Sequence, residues 1–344
     1  MYLGCASAGE TSPPPAPLSL AGRGGGEEPP EQVPSPAPPF SPEEKGPGSE
    51  GYVEASNKPS PRPDQEGAPG GEVTEILRLR TAPFGEHPFA AVHAPRSLKH
   101  LAETPIVIFF HGWYGCLKVL LGPDPAPCRH DKPTRHAMDL VSQFNAAGVD
   151  ALLVVPQLAF DQASSAPGGF FQKGRLGAML AEILAHPRLT SHLPVGAKPG
   201  RVVLIAHSGA YMALGKALGQ GGVDVHEVWM MDAHYLDVPE LAPWFRSHLE
   251  EFLAGRRRMA FLYTEGEKTG TRTLRLLEEL TAGMNEEERS RVLWRGEHPE
   301  VAPAEALSRP LVAQQTGVSH EKIPRVFLVP MLRTAQLPGG HQGR

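Results

Sequence analysis

The chain has 344 residues, of which 40% are hydrophobic, and a formal net charge of −5. This length is enough for one large domain or two smaller ones, and the apolar content allows a sizeable core. The charge argues against nucleic-acid binding, the 15 histidines show no metal-ligand spacing, and no apolar run is long enough for a transmembrane helix. Because the sequence has neither a Walker A lysine nor a glycine-rich dinucleotide motif, we predict no cofactor.

Proline and glycine set the first 70 residues apart from the rest of the chain. The sequence contains 37 of each, and many of them stand in runs such as 13–15 and 24–26. A segment of this composition cannot bury enough apolar surface to offset the conformational entropy lost on ordering. We therefore predict a disordered tether at 1–70, a folded domain at 71–335 and a flexible tail at 336–344.

The first residues leave the cellular location open. The segment Tyr2-Leu3-Gly4-Cys5-Ala6 is similar to the end of a bacterial lipoprotein signal, in which a small residue precedes a lipidated cysteine. If the true start lies upstream, Cys5 carries a lipid anchor and the protein belongs to the cell envelope. If Cys5 is an ordinary cysteine near a disordered terminus, we expect a cytoplasmic protein.

Apolar runs of strand length alternate with helical patterns in the rest of the chain. The predicted strands are 72–80, 89–92, 105–110, 151–155, 202–206, 225–231, 259–263 and 311–313. The predicted helices are 136–147, 176–184, 211–218, 241–253 and 271–282. The first two strands flank a Pro-Phe-Gly-Glu turn, which predicts an antiparallel hairpin at the sheet edge. The alternation that follows predicts an α/β fold with a mainly parallel, doubly wound sheet.

Several chemically active side chains follow the ends of predicted strands. They are His111, Gln157, Ser208, Asp232, Glu265 and His320. Ligands of open parallel sheets bind beyond the carboxyl ends of the strands. We therefore predict the functional site at this edge of the sheet.

Ser208 stands in the turn 206–210 (Ala-His-Ser-Gly-Ala), between a buried strand and a helix. This arrangement lifts a serine hydroxyl out of the backbone, and it resembles the nucleophile elbow of the α/β-hydrolase superfamily of esterases, lipases and peptidases. Alanines replace the usual outer glycines. The resemblance covers residues 72–332 and also rests on the His-Gly turn at 111–112 and on the late His320.

The resemblance implies a serine hydrolase that cleaves a small-molecule or polymeric ester or amide through an acyl-enzyme. The family order of serine, acid and histidine makes His320 the expected general base for Ser208. Two carboxylates are candidates for the acid. Asp232 abuts four apolar residues and needs a partner to offset its desolvation. Glu265 follows the strand after which the family's acid more often stands. We favour Asp232.

Two backbone N–H groups are expected to stabilise the oxyanion. Gly209 follows the nucleophile and supplies the first, and Trp113 lies after the early strand and supplies the second. The loop 157–169 is expected to be either a wall of the substrate site or a solvated connection. We assign substrate contacts to His111, Gln157 and Phe170.

Cys116 and Cys128 lie in one proline-rich loop. In an exported protein the two would pair and staple this loop, and otherwise they are two free thiols.

The altered elbow keeps a second class of function open. In that alternative, the chain is a catalytically inactive α/β-hydrolase fold that serves as a binding or scaffold module.

Overall fold

A computed structural model describes residues 71–99, 101–264, 268–297 and 300–338. All of them belong to the second of the two units into which the chain divides, Pro63–Arg344. The predicted tether with Cys5, the alternative acid Glu265 and residues 339–344 of the predicted tail lie outside the described residues.

One nine-stranded sheet organises the described residues, with the strand order β1-β2-β6-β3-β7-β8-β9-β11-β10, and β4 pairs with β5 separately. The strands are β1 (Val73–Arg78), β2 (Phe89–Ala94), β3 (Glu103–Phe110), β4 (Ala126–Pro127), β5 (Thr134–Arg135), β6 (Leu152–Pro156), β7 (Lys198–His207), β8 (Val225–Met231), β9 (Arg258–Thr264), β10 (Leu293–Glu297) and β11 (Leu311–Thr316). In the large sheet, β2 is antiparallel to both β1 and β6, and all other neighbours are parallel. The predicted edge hairpin and mainly parallel sheet are confirmed.

The central strand β3 is apolar on both faces. Ile106, Ile108 and Phe110 pack into one hydrophobic core, whereas Val107 and Phe109 pack into the other. Since successive side chains of a strand point to opposite faces, both faces of the sheet must be covered.

Helices cover both faces of the sheet. They are α1 (Leu117–Leu121), α2 (Leu140–Ala147), α3 (Arg175–Leu184), α4 (Tyr211–Gln220), α5 (Leu241–Ser247), α6 (Leu249–Leu253), α7 (Lys268–Thr281), α8 (Glu286–Val292), α9 (Ala304–Leu307) and α10 (Ile323–Thr334). The buried residues of α2 and α10 belong to one core, and those of α3, α4 and α5 belong to the other. The sheet is therefore doubly wound.

The helix predicted at 136–147 begins only at Leu140. The N–H groups of Met138 and Asp139 donate to the carbonyls of Val119 and Gly122, each at 3.1 Å. Asp139 also has a φ of 53°. The backbone before α2 is therefore hydrogen-bonded to the α1 region instead of forming a helical turn.

The helix predicted at 241–253 is divided into α5 and α6 at His248. In a continuous helix, the Trp244 carbonyl would accept from the backbone N–H of His248. Here the His248 ring Nδ1 lies 2.8 Å from that oxygen, and the His248 N–H donates to Phe245 at 3.1 Å. The Ser247 hydroxyl donates to the same oxygen at 2.9 Å, so side chains take the place of the missing backbone bond at this break.

Four late elements were not predicted, namely α8, β10, α9 and α10, and two of them, β10 and α10, have weak local patterns. The edge strand β10 is partly exposed and has no continuous apolar run. α10 has a proline in its first turn and Pro330 in its interior, and both argue against a long helix on sequence alone.

Strand order, strand direction and helical covering together define an α/β fold of the α/β-hydrolase type. Two residues of the predicted tail pack against this domain: the Gln336 N–H donates to Glu227 Oε1 at 2.8 Å, and Leu337 is 2% exposed. Across the described ranges, every helix is too short or too polar to cross a membrane.

Candidate active site

Ser208 lies in a tight turn between β7, which ends at His207, and α4, which begins at Tyr211. Its φ of 57° is a left-handed conformation that non-glycine residues seldom adopt. A Cβ atom at Gly112 would lie 2.5 Å from the Cβ of Ser208. Position 112 therefore requires glycine, because the side chain of Ser208 passes directly over it.

Alanines fit at the two outer positions of the turn. Ala206 is fully buried, Ala210 is 2% exposed, and neither has a positive φ. Their methyl groups are accommodated without the backbone conformation that only glycine adopts easily.

Three side chains that follow three different strands form a hydrogen-bonded line. His320 Nε2 lies 2.9 Å from Ser208 Oγ, and His320 Nδ1 lies 2.8 Å from Asp232 Oδ2. A carboxylate can only accept, so the Nδ1–H donates to Asp232 and Nε2 accepts from the Ser208 hydroxyl. A neighbouring base that is oriented by a third group is what activates a serine hydroxyl.

Two threonines hold the Asp232 carboxylate, which is fully buried. Thr269 Oγ1 donates to Oδ1 at 2.7 Å, and Thr264 Oγ1 donates to Oδ2 at 3.1 Å. Burial alone would raise the pKa of Asp232, but hydrogen bonds from His320 and Thr269 outweigh burial and lower that pKa below its usual value. The carboxylate is therefore ionised at neutral pH. No sequence signal identified the threonines, since α7 brings Thr269 to the site from a remote part of the chain.

His207 packs against the His320 ring from the strand side. The ring centroids are 4.8 Å apart, and His207 Nε2–H donates to the His320 carbonyl at 3.1 Å. Burial lowers the pKa of His207 to about 3, so this ring is neutral at physiological pH. His207 thus holds the His320 backbone in place.

The Trp113 side chain lies against Gly209, and these two residues carry the predicted oxyanion donors. A Cβ atom at Gly209 would lie 2.4 Å from the Trp113 ring, whose Nε1–H donates to Ser165 Oγ at 2.8 Å. The next N–H along the chain, that of Tyr114, donates to the Gln162 carbonyl at 2.9 Å. Within the described residues, the N–H of Trp113 has no such partner. This N–H is available to a ligand.

His111 is used chiefly to fix the turn that follows β3. Its Nε2 accepts from the Leu158 N–H and from the Gln157 side-chain amide, each at 2.9 Å, and its Nδ1–H donates to the Gly112 carbonyl at 2.8 Å. Burial lowers the pKa of His111 to about 4, so the ring is neutral. Gln157 also accepts from the Leu117 N–H at 3.2 Å. Of the three predicted contact residues, His111 lines the cavity at Ser208 and Gln157 does not.

The predicted substrate contact of Phe170 also lies elsewhere. Its ring is 1% exposed and packs edge-on against Phe110 at 5.5 Å. No residue of the predicted wall 157–169 lines the cavity, although Ser165 of that loop positions the Trp113 ring.

A cavity of about 400 Å³ opens at Ser208. Segment 116–139, which is termed the flap, forms one side of this cavity. The flap residues that line the cavity are Val119, Leu120, Thr134, Arg135, His136 and Met138. A disulfide joins Cys116 to Cys128 within the flap, with an S–S distance of 2.15 Å. The sequence left the loop 157–169 open as either a wall of the substrate site or a solvated connection, and the flap lines the cavity instead. In the part of the chain that the structure describes, no group of three His, Cys, Asp or Glu could hold a metal ion.

Comparison with known proteins finds similarity only among solved structures. No protein-family model matches the chain. No curated protein matches its sequence. One similar structure is a mutant feruloyl esterase module of Clostridium thermocellum in complex with sinapinate (10% identity, 85% of this chain and 99% of that chain covered, TM-score 0.47). Others are esterase B of Lactobacillus rhamnosis (12%, 77% and 81%, TM-score 0.38) and a fluorophosphonate-binding serine hydrolase of Staphylococcus aureus (9%, 76% and 99%, TM-score 0.38).

Proposed function

We propose that the protein is a serine hydrolase that cleaves an ester or amide bond through an acyl-enzyme. The hydrogen-bonded line from Ser208 through His320 to Asp232 carries this proposal, with distances of 2.9 and 2.8 Å. Nucleophile, base and buried carboxylate in this order are the groups that acyl transfer to serine requires.

In the acylation step, Ser208 Oγ attacks the substrate carbonyl carbon while His320 Nε2 accepts the hydroxyl proton. Asp232 stabilises the resulting imidazolium, and the backbone N–H groups of Gly209 and Trp113 donate to the oxyanion. The C–O or C–N bond of the tetrahedral intermediate then breaks. The leaving alcohol or amine takes the proton from His320.

In the deacylation step, water attacks the acyl-enzyme and gives its proton to His320. The second tetrahedral intermediate releases the carboxylic acid, and Ser208 takes the proton back from His320. The same base thus serves both half-reactions.

The two buried histidines that line the cavity, His111 and His207, are poor candidates for the base, which favours His320. The pKa values of His111 and His207, about 4 and about 3, make both rings weak bases at neutral pH. Their hydrogen bonds also go to other groups than the Ser208 hydroxyl: His111 Nδ1 bonds to the Gly112 carbonyl and His207 Nε2 to the His320 carbonyl.

A fluorophosphonate probe tests the proposal directly, because it labels only an activated serine. We expect labelling of the wild type and of Ser319→Ala, in which a neighbouring exposed serine is removed. Ser208→Ala should not be labelled. If a folded wild-type protein is never labelled, the serine-hydrolase proposal fails and the inactive binding module takes its place.

A further inference from the structure

The flap brings a positive charge to the cavity. Arg135 is the only arginine or lysine among the described residues that line the cavity. Its side chain is 27% exposed, so its guanidinium is partly desolvated. The lining also includes the carboxylate of Glu321, but this residue is exposed and is followed by the exposed Lys322. Solvent therefore screens Glu321 more effectively than it screens Arg135.

Two guanidinium groups share one buried carboxylate at the base of the flap. Arg135 Nη2 donates to Asp161 Oδ1 at 3.3 Å, and Arg129 Nε lies 3.9 Å from Asp161 Oδ2. The Asp161 side chain is 1% exposed. This cluster therefore carries one more positive charge than negative charge.

Arg135 also has unused hydrogen-bonding capacity. A guanidinium carries five N–H donors, and the buried Nε of Arg135 has no hydrogen-bond partner among the described residues. The planar arrangement of these donors matches the two oxygens of a carboxylate.

The guanidinium is held in position rather than free to turn away. It stacks on the Tyr114 ring at 4.4 Å, and Tyr114 directly follows Trp113 of the proposed oxyanion site. Two residues after Tyr114, the disulfide between Cys116 and Cys128 cross-links the first part of the flap. A charged group that is fixed before binding loses little conformational entropy when a ligand arrives.

We propose that Arg135 makes the site selective for esters that carry a second, anionic group, namely a carboxylate on the acyl or the leaving part. This inference rests on the proposed function, because it assigns the substrate class of the same site. The ester carbonyl lies at Ser208 while the carboxylate lies at Arg135, on the flap side of the cavity.

Pairs of esters with one anionic and one neutral member test the inference. Para-nitrophenyl glutarate is compared with para-nitrophenyl valerate, in which a methyl group replaces the acyl-side carboxylate. Para-acetoxybenzoate is compared with its neutral methyl ester for the leaving-group side. In one of the two pairs, we expect kcat/KM of the wild type to favour the anionic ester by about tenfold or more, as for one charge-assisted hydrogen-bonded contact.

Variants of the two arginines attribute that preference. Arg135→Gln should reduce the ratio of anionic to neutral kcat/KM by about tenfold, and Arg135→Lys should retain part of the ratio. Arg129→Gln is the comparison variant: Arg129 adds to the charge of the Asp161 cluster without lining the cavity, so its removal should lower the ratio less than Arg135→Gln does. A wild type without preference in either pair, or a preference that survives Arg135→Gln, overturns the proposal.

Three measurements do not depend on the folding of Arg135→Gln. Added salt should lower the ratio of anionic to neutral kcat/KM of the wild type, whereas Glu321→Gln should raise that ratio. Calorimetry with Ser208→Ala compares the binding of monomethyl glutarate and methyl valerate without turnover. Equal affinities there, with hydrolysis of neutral esters by the wild type, refute anion selectivity and leave the serine-hydrolase proposal intact. Absence of both turnover and fluorophosphonate labelling refutes the hydrolase proposal instead.

Discussion

The elbow and the flap face each other across one cavity, yet they are held in place by different means. Ser208 lies between a fully paired strand, β7, and the helix α4, so its position is set by the sheet. The flap contains one short helix and a two-stranded ladder, it is cross-linked internally by a disulfide, and contacts to Asp161 attach it to the domain. Acyl transfer needs reacting groups that are positioned to a fraction of an ångström, whereas recognition is often carried by loops on a rigid scaffold.

The largest fall in kcat is expected for Asp232→Asn, which changes a residue positioned by the sheet. The Asp232 carboxylate accepts from His320 Nδ1 at 2.8 Å, whereas the amide of the introduced asparagine would favour the tautomer protonated at Nε2. That tautomer cannot accept the Ser208 proton, so kcat should fall by about 10⁴-fold. Glu265→Gln should change kcat only a few-fold. Steady-state kinetics on a para-nitrophenyl ester measures both variants, with circular dichroism as the folding control. A larger loss in Glu265→Gln would assign the acid to that residue.

Removing the disulfide should act on the flap. The double variant Cys116→Ser/Cys128→Ser opens a loop with a sequence separation of 12. A cross-link of this length stabilises a protein by about 3 kcal/mol. Urea unfolding should show that loss, and KM for an anionic ester should rise more than kcat falls. Reducing agent should affect the wild type and leave the double variant unchanged. An equal response of both proteins would contradict the assignment to this disulfide.

Gly112→Ala should disturb the elbow with a single methyl group. The new Cβ would meet the Ser208 Cβ at 2.5 Å, and relieving such overpacking costs about 1–3 kcal/mol. Because the displaced atom is bonded to Oγ, the proposed nucleophile, kcat should fall at least about tenfold. Gly85→Ala is the control, since no atom lies within 4 Å of its added Cβ. Full activity of Gly112→Ala would show that Ser208 needs no such close packing.

Acid should destabilise the elbow side through its buried histidines. The pKa values of His111 and His207 are about 4 and about 3 in the folded protein, below their ordinary value of 6.5. Between the folded and the ordinary pKa of each histidine, the unfolded chain binds more protons than the folded protein. The free energy of unfolding therefore decreases as the pH falls below 6.5. At pH 5.5, each histidine should cost about 1 kcal/mol.

Urea unfolding at pH 7.5 and pH 5.5 measures this loss. His111→Asn should flatten the pH dependence, whereas His130→Gln in the flap should not, because His130 is exposed. If both substitutions flatten it equally, the buried rings are not its source.

Elements with strong local patterns were predicted well. β8 has the bounds that its apolar run predicts, Val225–Met231, and the Gly148 that ends α2 has the left-handed φ of 69° expected of a helix cap. By contrast, α10 contains Pro330 and β10 lies at a partly exposed edge. Their stability comes from packing and pairing with distant residues, and a local window of sequence does not contain that information.

Sequence alone determined the fold class, the position of Ser208 in a strand-turn-helix and the chain order of the candidate acid and base. These depend on periodicity and on residue types at short spacing, which are local properties. Only the tertiary structure decided that the flap, rather than the loop 157–169, lines the cavity, and that Thr264 and Thr269 hold Asp232. Such contacts join residues that are remote in the chain, so they exist only once the sheet and its covering helices have brought those residues together.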